Sequence, residues 1–496
     1  MDRRRFLSST LAGAAVAGFP HLAFGAGRRL RVRADVPAMT LSGAETILPK
    51  AVVKELGASL HGSLMLPGGE GYDAARALWN GMFDRKPALI AQCSGPADVA
   101  SAVNFAREHN LLLAVRGGGH SIAGKSVCEG GLMIDLQHMN GVHVDRQRRV
   151  ARVEGGALLS NLDHETLPLG LATTSGTVSH TGAGGLTLGG GIGRLCRQHG
   201  LTSDNLLSVD VVTADGKLRR AAADEHDELF WGLRGGGGNF GVATSFEYQL
   251  HPLDNEVLGG AMMYPIEQAS EVLKVVNDFS RKAHRELSLS GNLLMMRNGR
   301  GFVMMSITYS GDVRKGEKHL RPLLEYGNPV RKGVQKTLYS TLQTANDQQL
   351  AAGRHYYMKS GYLPEISDEF IDELVRRVEP SDKREQVVVM TQLGGAIRDL
   401  PDDATAYSHR YGEFDLMIGA AWDDAAANDA NVTWGRDYFG AVQDYTKGFY
   451  TNSLMDESAD AIHKNYLGNY PRLQALKNEF DPQNLFRLNA NIAPTV

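Results

Sequence analysis

Cysteine is nearly missing from this chain. Cys93, Cys128 and Cys196 are the only three in 496 residues, and no two stand in C-x-x-C spacing. That excludes a thiolate zinc site and a disulfide framework, which need cysteines in closely spaced or even sets; one disulfide beside one free thiol stays open, and no metal site is expected. A bias of charge is missing too. The 52 Lys and Arg against 56 Asp and Glu give a net charge of -4 with no basic stripe, so nothing favours a nucleic acid partner. Beyond the N-terminal segment no apolar run is long enough to span a bilayer. Hydrolase signatures are absent as well, with neither G-x-S-x-G nor H-E-x-x-H in the sequence.

What the chain has in excess is glycine: 57 of 496 residues, about 11.5% against a usual level of roughly 7%. The surplus is local. Of the 57, 26 fall between Gly117 and Gly241, and the rest of the chain is near background. With no triplet period and 43% hydrophobic residues, the composition is that of a folded protein, not a collagen-like or low-complexity chain.

The N-terminus runs Arg3-Arg4-Arg5-Phe6-Leu7, then a mildly apolar stretch to Phe19, then Ala23-Phe24-Gly25-Ala26. Basic, apolar and small-residue sections in that order predict a signal peptide over residues 1–26, and the paired arginines make it the twin-arginine type. The expected product is soluble, periplasmic or secreted, delivered by the twin-arginine export machinery and without a membrane span in the mature chain.

Hydrophobic period and turn chemistry then predict an α+β first region. Strands are expected at 87–93, 111–115, 132–136, 150–153 and 241–250, a helix at 96–108, and a hairpin of 206–213 with 217–221 around Asp215-Gly216. From about residue 259 glycine drops to background, and strands (261–264, 287–296, 302–309, 386–392, 413–421) alternate with helices (267–285, 367–377). An antiparallel sheet with helices on one face is the simplest architecture. A helix at 469–480 opens a tail expected to return to the first region.

Two nucleotide motifs match in letter and fail in context. Residues Gly119 to Ser126 fit G-x-x-x-x-G-K-S, but that P-loop nucleotide site needs a helix opening directly after Lys125-Ser126, which Val127-Cys128-Glu129-Gly130-Gly131 cannot sustain. Gly236 to Gly241 fit G-x-G-x-x-G with a helix-like segment before and a strand after, the reverse of a dinucleotide fold. Consecutive glycines can still bring backbone amides close to a pyrophosphate without the help of a helix. Two loops are suited to this: Arg116-Gly117-Gly118-Gly119-His120-Ser121, and the run from Gly182 to Gly191.

In this order the loops resemble the flavin-binding domain of the berberine bridge enzyme-like family, within the vanillyl-alcohol-oxidase, PCMH-type FAD enzymes. The resemblance also rests on Gly193 through Asp204-Asn205, on Leu229-Phe230-Trp231 through Gly241, and on the tail from Asp481-Pro482-Gln483-Asn484 to Pro494, and it covers nearly all of the chain after about Ala75. It implies an FAD-binding domain at 45–255 with its core at about 85–254, a substrate domain at 256–450 of antiparallel sheet and helices, and a segment at 451–496 returning to the FAD domain. FAD would be held by Arg116, Gly117, Gly118, Gly119, His120, Ser121 and Gly124 of the first loop. Thr177, Thr181, Gly182, Gly185, Gly190 and Gly191 of the second loop would join them, with Gly241, Val242, Asn489 and Asn491. His120 corresponds to the histidine bonded to the 8α carbon of FAD, a reaction that needs neutral imidazole as the nucleophile. Many members add a cysteinyl bond from a place that here is Val178. Valine cannot form it and Cys196 lies well beyond, so the cofactor is expected to be FAD linked through His120 alone.

The family's proton acceptors are less well matched. The Tyr-x-Asn-Tyr segment reads Tyr450-Thr451-Asn452-Ser453, and the glutamate expected after His409-Arg410 falls on Leu416. Candidate bases by chemistry are Tyr450, His409 and Tyr357. Glu413 and Asp415, on the opposite side of the strand from Leu416, are set aside. The implied activity is hydride transfer from an alcohol, sugar or similar small-molecule substrate to FAD, with O2 as acceptor and hydrogen peroxide as product. A flavin dehydrogenase using another electron acceptor is the near alternative; a non-catalytic solute-binding protein and a P-loop nucleotide-binding protein are distant ones.

Overall fold

The computed structural model describes residues 32–495; the export signal expected over 1–26 lies outside them. The first region holds two larger sheets beside two small two-stranded ones. One has four strands in the order Ser63–Met65, Leu89–Gln92, Leu132–Asp135, Leu113–Arg116, the last three parallel. Parallel strands are covered on both faces and so read as unbroken apolar runs: Leu89, Ile90, Leu132, Met133 and Ile134 are all fully buried. Helix Pro96–Glu108, started by its proline, presses Val99, Ala102, Val103 and Ala106 onto this sheet. The other sheet is antiparallel, in the order Leu218–Ala222, Leu206–Val212, Val242–Gln249, Val150–Glu154, Val142–Asp145. Its hairpin turns at Gly216, whose φ of +75° suits glycine, with Val212 opposite Leu218.

The central region is one antiparallel sheet of eight strands. Its path runs Arg331–Lys332, Glu256–Pro265, Gly301–Tyr309, Leu287–Met295, Glu385–Gln392, Phe414–Trp422, His355–Leu363, and Gln335–Leu338 pairs with Glu256–Pro265. Every second residue faces helices Ala269–Ser280, Val313–Leu324, Asp368–Arg376 and Asn428–Val442 in one apolar core. The helix expected over 267–285 stops at Ser280 because the chain beyond it serves Arg197. That buried guanidinium donates to the carbonyls of Ala283 at 3.2 Å and Leu287 at 2.9 Å.

Helix Tyr470–Phe480 places Leu473 and Leu476 in the core of the five-stranded sheet, and Leu485 and Phe486 enter that of the four-stranded one. Lys477 pins this tail from within: fully buried, it pairs with Asp481 at 2.6 Å and donates to the carbonyls of Asn239 and Phe486. All three cysteines are buried and free, which removes the disulfide left open above.

Candidate functional site

Strand Leu113–Arg116 delivers the first glycine loop against the second. The two touch at Gly118 and Gly182: a Cβ on Gly182 would lie 2.6 Å from the Gly118 nitrogen, and one on Gly118 would overlap Gly182. Only glycine at both positions lets the loops close into one cradle. The second loop is not helix-free as expected. Ala183–Leu188 forms a short helix, because Gly184 lets it lie on Phe246 and the Thr187 hydroxyl donates to the Ala183 carbonyl at 2.7 Å. No helix follows Lys125-Ser126, so the P-loop letters carry no P-loop.

Together with Gly237, Gly238, residues 450–454 and the tail residues 486 and 488–490, the loops enclose a cavity of about 440 Å³. Gly117, Gly118, Gly119, His120, Ser121, Thr177, Thr181, Gly182, Gly185, Gly241, Val242 and Asn489 line it. Arg116, Gly124, Gly190, Gly191 and Asn491 do not. The Arg116 guanidinium turns back to Asp135 and Gln137, both at 3.1 Å. Gly124 makes room for the Phe83 ring, and Gly190 and Gly191, at φ +109° and +86°, carry the chain past Tyr407 and Thr202. Asn491 lies off the cavity, half-buried, with its Oδ1 buried and without a partner. The sequence reading missed Val115, Leu136, Gly155, Gly176 and Phe246, which also line it; only the glycines among them left any signal.

His120 sits in a sandwich of rings, with Trp79 at 4.3 Å between centroids and 13° between planes, and His180 at 5.0 Å and 27°. Its Nε2 is buried with no partner. Burial first, and the neighbouring His180 second, hold the imidazole neutral down to about pH 3. Ser126 Oγ and Asn489 Oδ1, from residues that line the same cavity, are also buried without partners. A cradle closed by glycines, with orphaned polar atoms around it, fits a polar cofactor such as FAD. Val178 lines the cavity, and none of the three cysteines does.

The three candidate bases do not share a site. Tyr450 lines the cavity, and its oxygen accepts hydrogen bonds from the Ile192 amide at 3.1 Å and Asn452 Nδ2 at 2.8 Å. Burial pushes its hydroxyl up to about 12 despite these donors. His409 is committed elsewhere: Nε2 donates to the Asn465 carbonyl at 2.7 Å, Nδ1 meets the Tyr411 hydroxyl at 3.0 Å, and the ring stacks on Tyr362. Tyr357 faces the helix side of its strand, against Gly435, and its hydroxyl donates to Asp456 at 3.1 Å in a separate opening of about 490 Å³. On strand Phe414–Trp422, Leu416 faces the helix-side core, whereas Asp415 pairs across from Tyr362 on the other side. Asp415 is the acid set aside above. It is buried, its Oδ1 has no partner, and burial raises its carboxyl to about 8. Ionised, it would raise the hydroxyls of Tyr450, Tyr407 and Tyr362 further.

A cradle closed by two glycine loops, outside any dinucleotide fold, places the protein among the PCMH-type FAD-binding oxidoreductases. A family model described as FAD binding domain matches residues 87–222, and one described as berberine and berberine like matches 449–493. An FAD-linked oxidoreductase of Dictyostelium discoideum is 32% identical over 448 residues, 89% of this chain and 97% of that one. The structure of 6-hydroxy-D-nicotine oxidase from Arthrobacter nicotinovorans matches with a TM-score of 0.80 at 27% identity, covering 88% of this chain and 98% of the other. Glucooligosaccharide oxidase from Acremonium strictum, described with a 6-S-cysteinyl, 8α-N1-histidyl FAD, matches at 0.78 and 25% identity over 87% and 97%. The chain belongs to the berberine bridge enzyme-like family of FAD-linked oxidoreductases. Among the described residues no helix is long and apolar enough to cross a membrane.

Proposed function

We propose that the protein is an exported oxidase that takes a hydride from an alcohol, sugar or similar small molecule, with FAD attached through His120 alone. The observation that carries this reading is that His120, neutral and with an unpartnered ring nitrogen, and Tyr450 line one cavity. FAD, when bound, supplies the two-electron chemistry and passes the electrons to O2 as hydrogen peroxide. The glycine amides would receive its pyrophosphate, and Asn489 and Ser126 would offer it their orphaned oxygens. Tyr450 is the proton acceptor of the reading. When ionised, its oxygen keeps a lone pair for the substrate proton while Ile192 and Asn452 stabilise the negative charge. The oxidases of nicotine and oligosaccharide substrates among the relatives support O2 as acceptor; export rests on the N-terminal segment and its paired arginines.

The test is anaerobic bleaching of the flavin against a panel of sugars, alcohols and amines, followed by turnover in air. Bleaching by one class, with one peroxide formed per substrate, is expected. Turnover only with an added dye makes the protein a dehydrogenase, and no bleaching by any member of the panel removes the substrate assignment.

A further inference from the structure

We propose that Trp79 and His180 form a clamp that orients His120 and keeps water from its ring, preparing it for attachment to flavin. The proposal rests on the covalent role of His120 given above and names the residues that make it work.

The clamp is a stack of four rings, Tyr356, Trp79, His120 and His180, with Tyr356 backing Trp79 at 3.9 Å and 12°. Hydrogen bonds do not hold the two histidines by Nε2, since both of those atoms are buried without partners. The jaws themselves are pinned. The Trp79 amide donates to the Gly119 carbonyl at 2.9 Å, and its Nε1 donates to the Leu350 carbonyl at 2.6 Å; its own carbonyl accepts from the Gly353 amide at 2.9 Å. On the other side, Ser179 donates through its amide and hydroxyl to Asp347 at 2.9 and 2.6 Å and accepts from the Ser160 amide, which fixes the residue beside His180. Asp347, Leu350 and Gly353 are neighbours on one segment ahead of strand His355–Leu363. One stretch of the central region therefore braces both jaws, and attachment is coupled to its docking.

In attachment an N–C bond forms between the His120 imidazole and the 8α carbon, and a methyl C–H and the imidazole N–H break. Both hydrogens and the electron pair pass to the isoalloxazine, which ends reduced and is reoxidised by O2, the acceptor of the proposed reaction. A protonated imidazole has no lone pair for this step. Around the ring, His180 is the titratable group whose charge acts on it. Three other titratable groups around the loop are engaged: the Tyr356 hydroxyl with the Ala351 carbonyl, Arg116 with Asp135, and Lys125 with the Asn489 carbonyl.

The test uses full-length apoprotein made under riboflavin starvation and mixed with FAD between about pH 5 and 9. Covalent flavin is read by fluorescence of acid-precipitated protein and by peptide mass, and non-covalent FAD binding by fluorescence quenching serves as the folding control. Wild type should attach at a level rate across the range. Trp79→Ala and His180→Ala should bind FAD but attach it roughly 10-fold or more slowly, with a further fall on the acid side as water lets His120 protonate. Trp79→Phe and His180→Phe should restore both rate and profile. Wild-type rates in the alanine variants, or an equal slowing at every pH without rescue by phenylalanine, would overturn the clamp and leave the role of His120 standing. A wild type that releases all its flavin on denaturation overturns both.

Discussion

The glycine-rich region and the central sheet hold their functional groups by different means. In the first, the proposed cofactor site is built from backbone: Gly118 and Gly182 close two loops on each other where no side chain fits. In the second, the candidate groups are side chains whose position depends on strand register, so that Asp415 faces the Tyr450 side and Leu416 the helix core. A motif can specify the first arrangement; only the packed sheet specifies the second.

If that division is right, substitutions should separate holding the cofactor from using it. Tyr450→Phe should slow substrate-driven flavin reduction by about 10²- to 10⁴-fold while covalent flavin content stays whole; a variant that loses its flavin would blur the two regions. Gly118→Val should do the opposite. Its side chain forces the loops apart and weakens FAD retention about 10- to 100-fold, measured as flavin per chain after purification.

Asp415→Asn sharpens the account of the sheet. With its carboxyl raised to about 8, the folded state holds one proton more than the unfolded chain between about pH 4 and 8. Stability therefore falls as pH rises through that window. The asparagine variant should lose that slope and, at about pH 9, exceed wild type by on the order of a few kcal/mol in thermal or denaturant unfolding. An unchanged slope would mean that Asp415 is ionised in the fold. The smallest effect belongs to Gly440, exposed in helix Asn428–Val442 with nothing within 4 Å of an added Cβ. Gly440→Ala should stabilise the protein by about 0.5–1 kcal/mol without touching flavin content, the reverse of a cradle glycine.

The same division explains what the sequence made legible. The cradle loops, the 96–108 helix and the Asp215-Gly216 hairpin rest on local chemistry, and local chemistry is written in neighbouring residues. The reactivity of His409 and Tyr357 is legible in their residue types, but their engagement is not: Asn465 and Tyr411 hold the one, and the far face of a strand takes the other. Trp79 gave no signal because its partners lie 40 to 277 positions along the chain, at Gly119, Leu350 and Tyr356. Strand His355–Leu363 hid for a related reason: it is buried on both faces along most of its length, so the alternation that marks a half-exposed strand is absent. Asp415 escapes a reading anchored on Leu416, one residue away, because a one-residue step moves a side chain to the other face.

The central claim, that His120 alone carries the flavin, is tested most directly by digesting the denatured wild-type protein with trypsin and weighing its peptides. Cleavage after Arg116 and Lys125 should yield a fragment spanning residues 117–125 with the flavin bonded to His120, and unmodified peptides holding Cys93, Cys128 and Cys196. Flavin released into the supernatant, or found on a cysteine peptide, would contradict it.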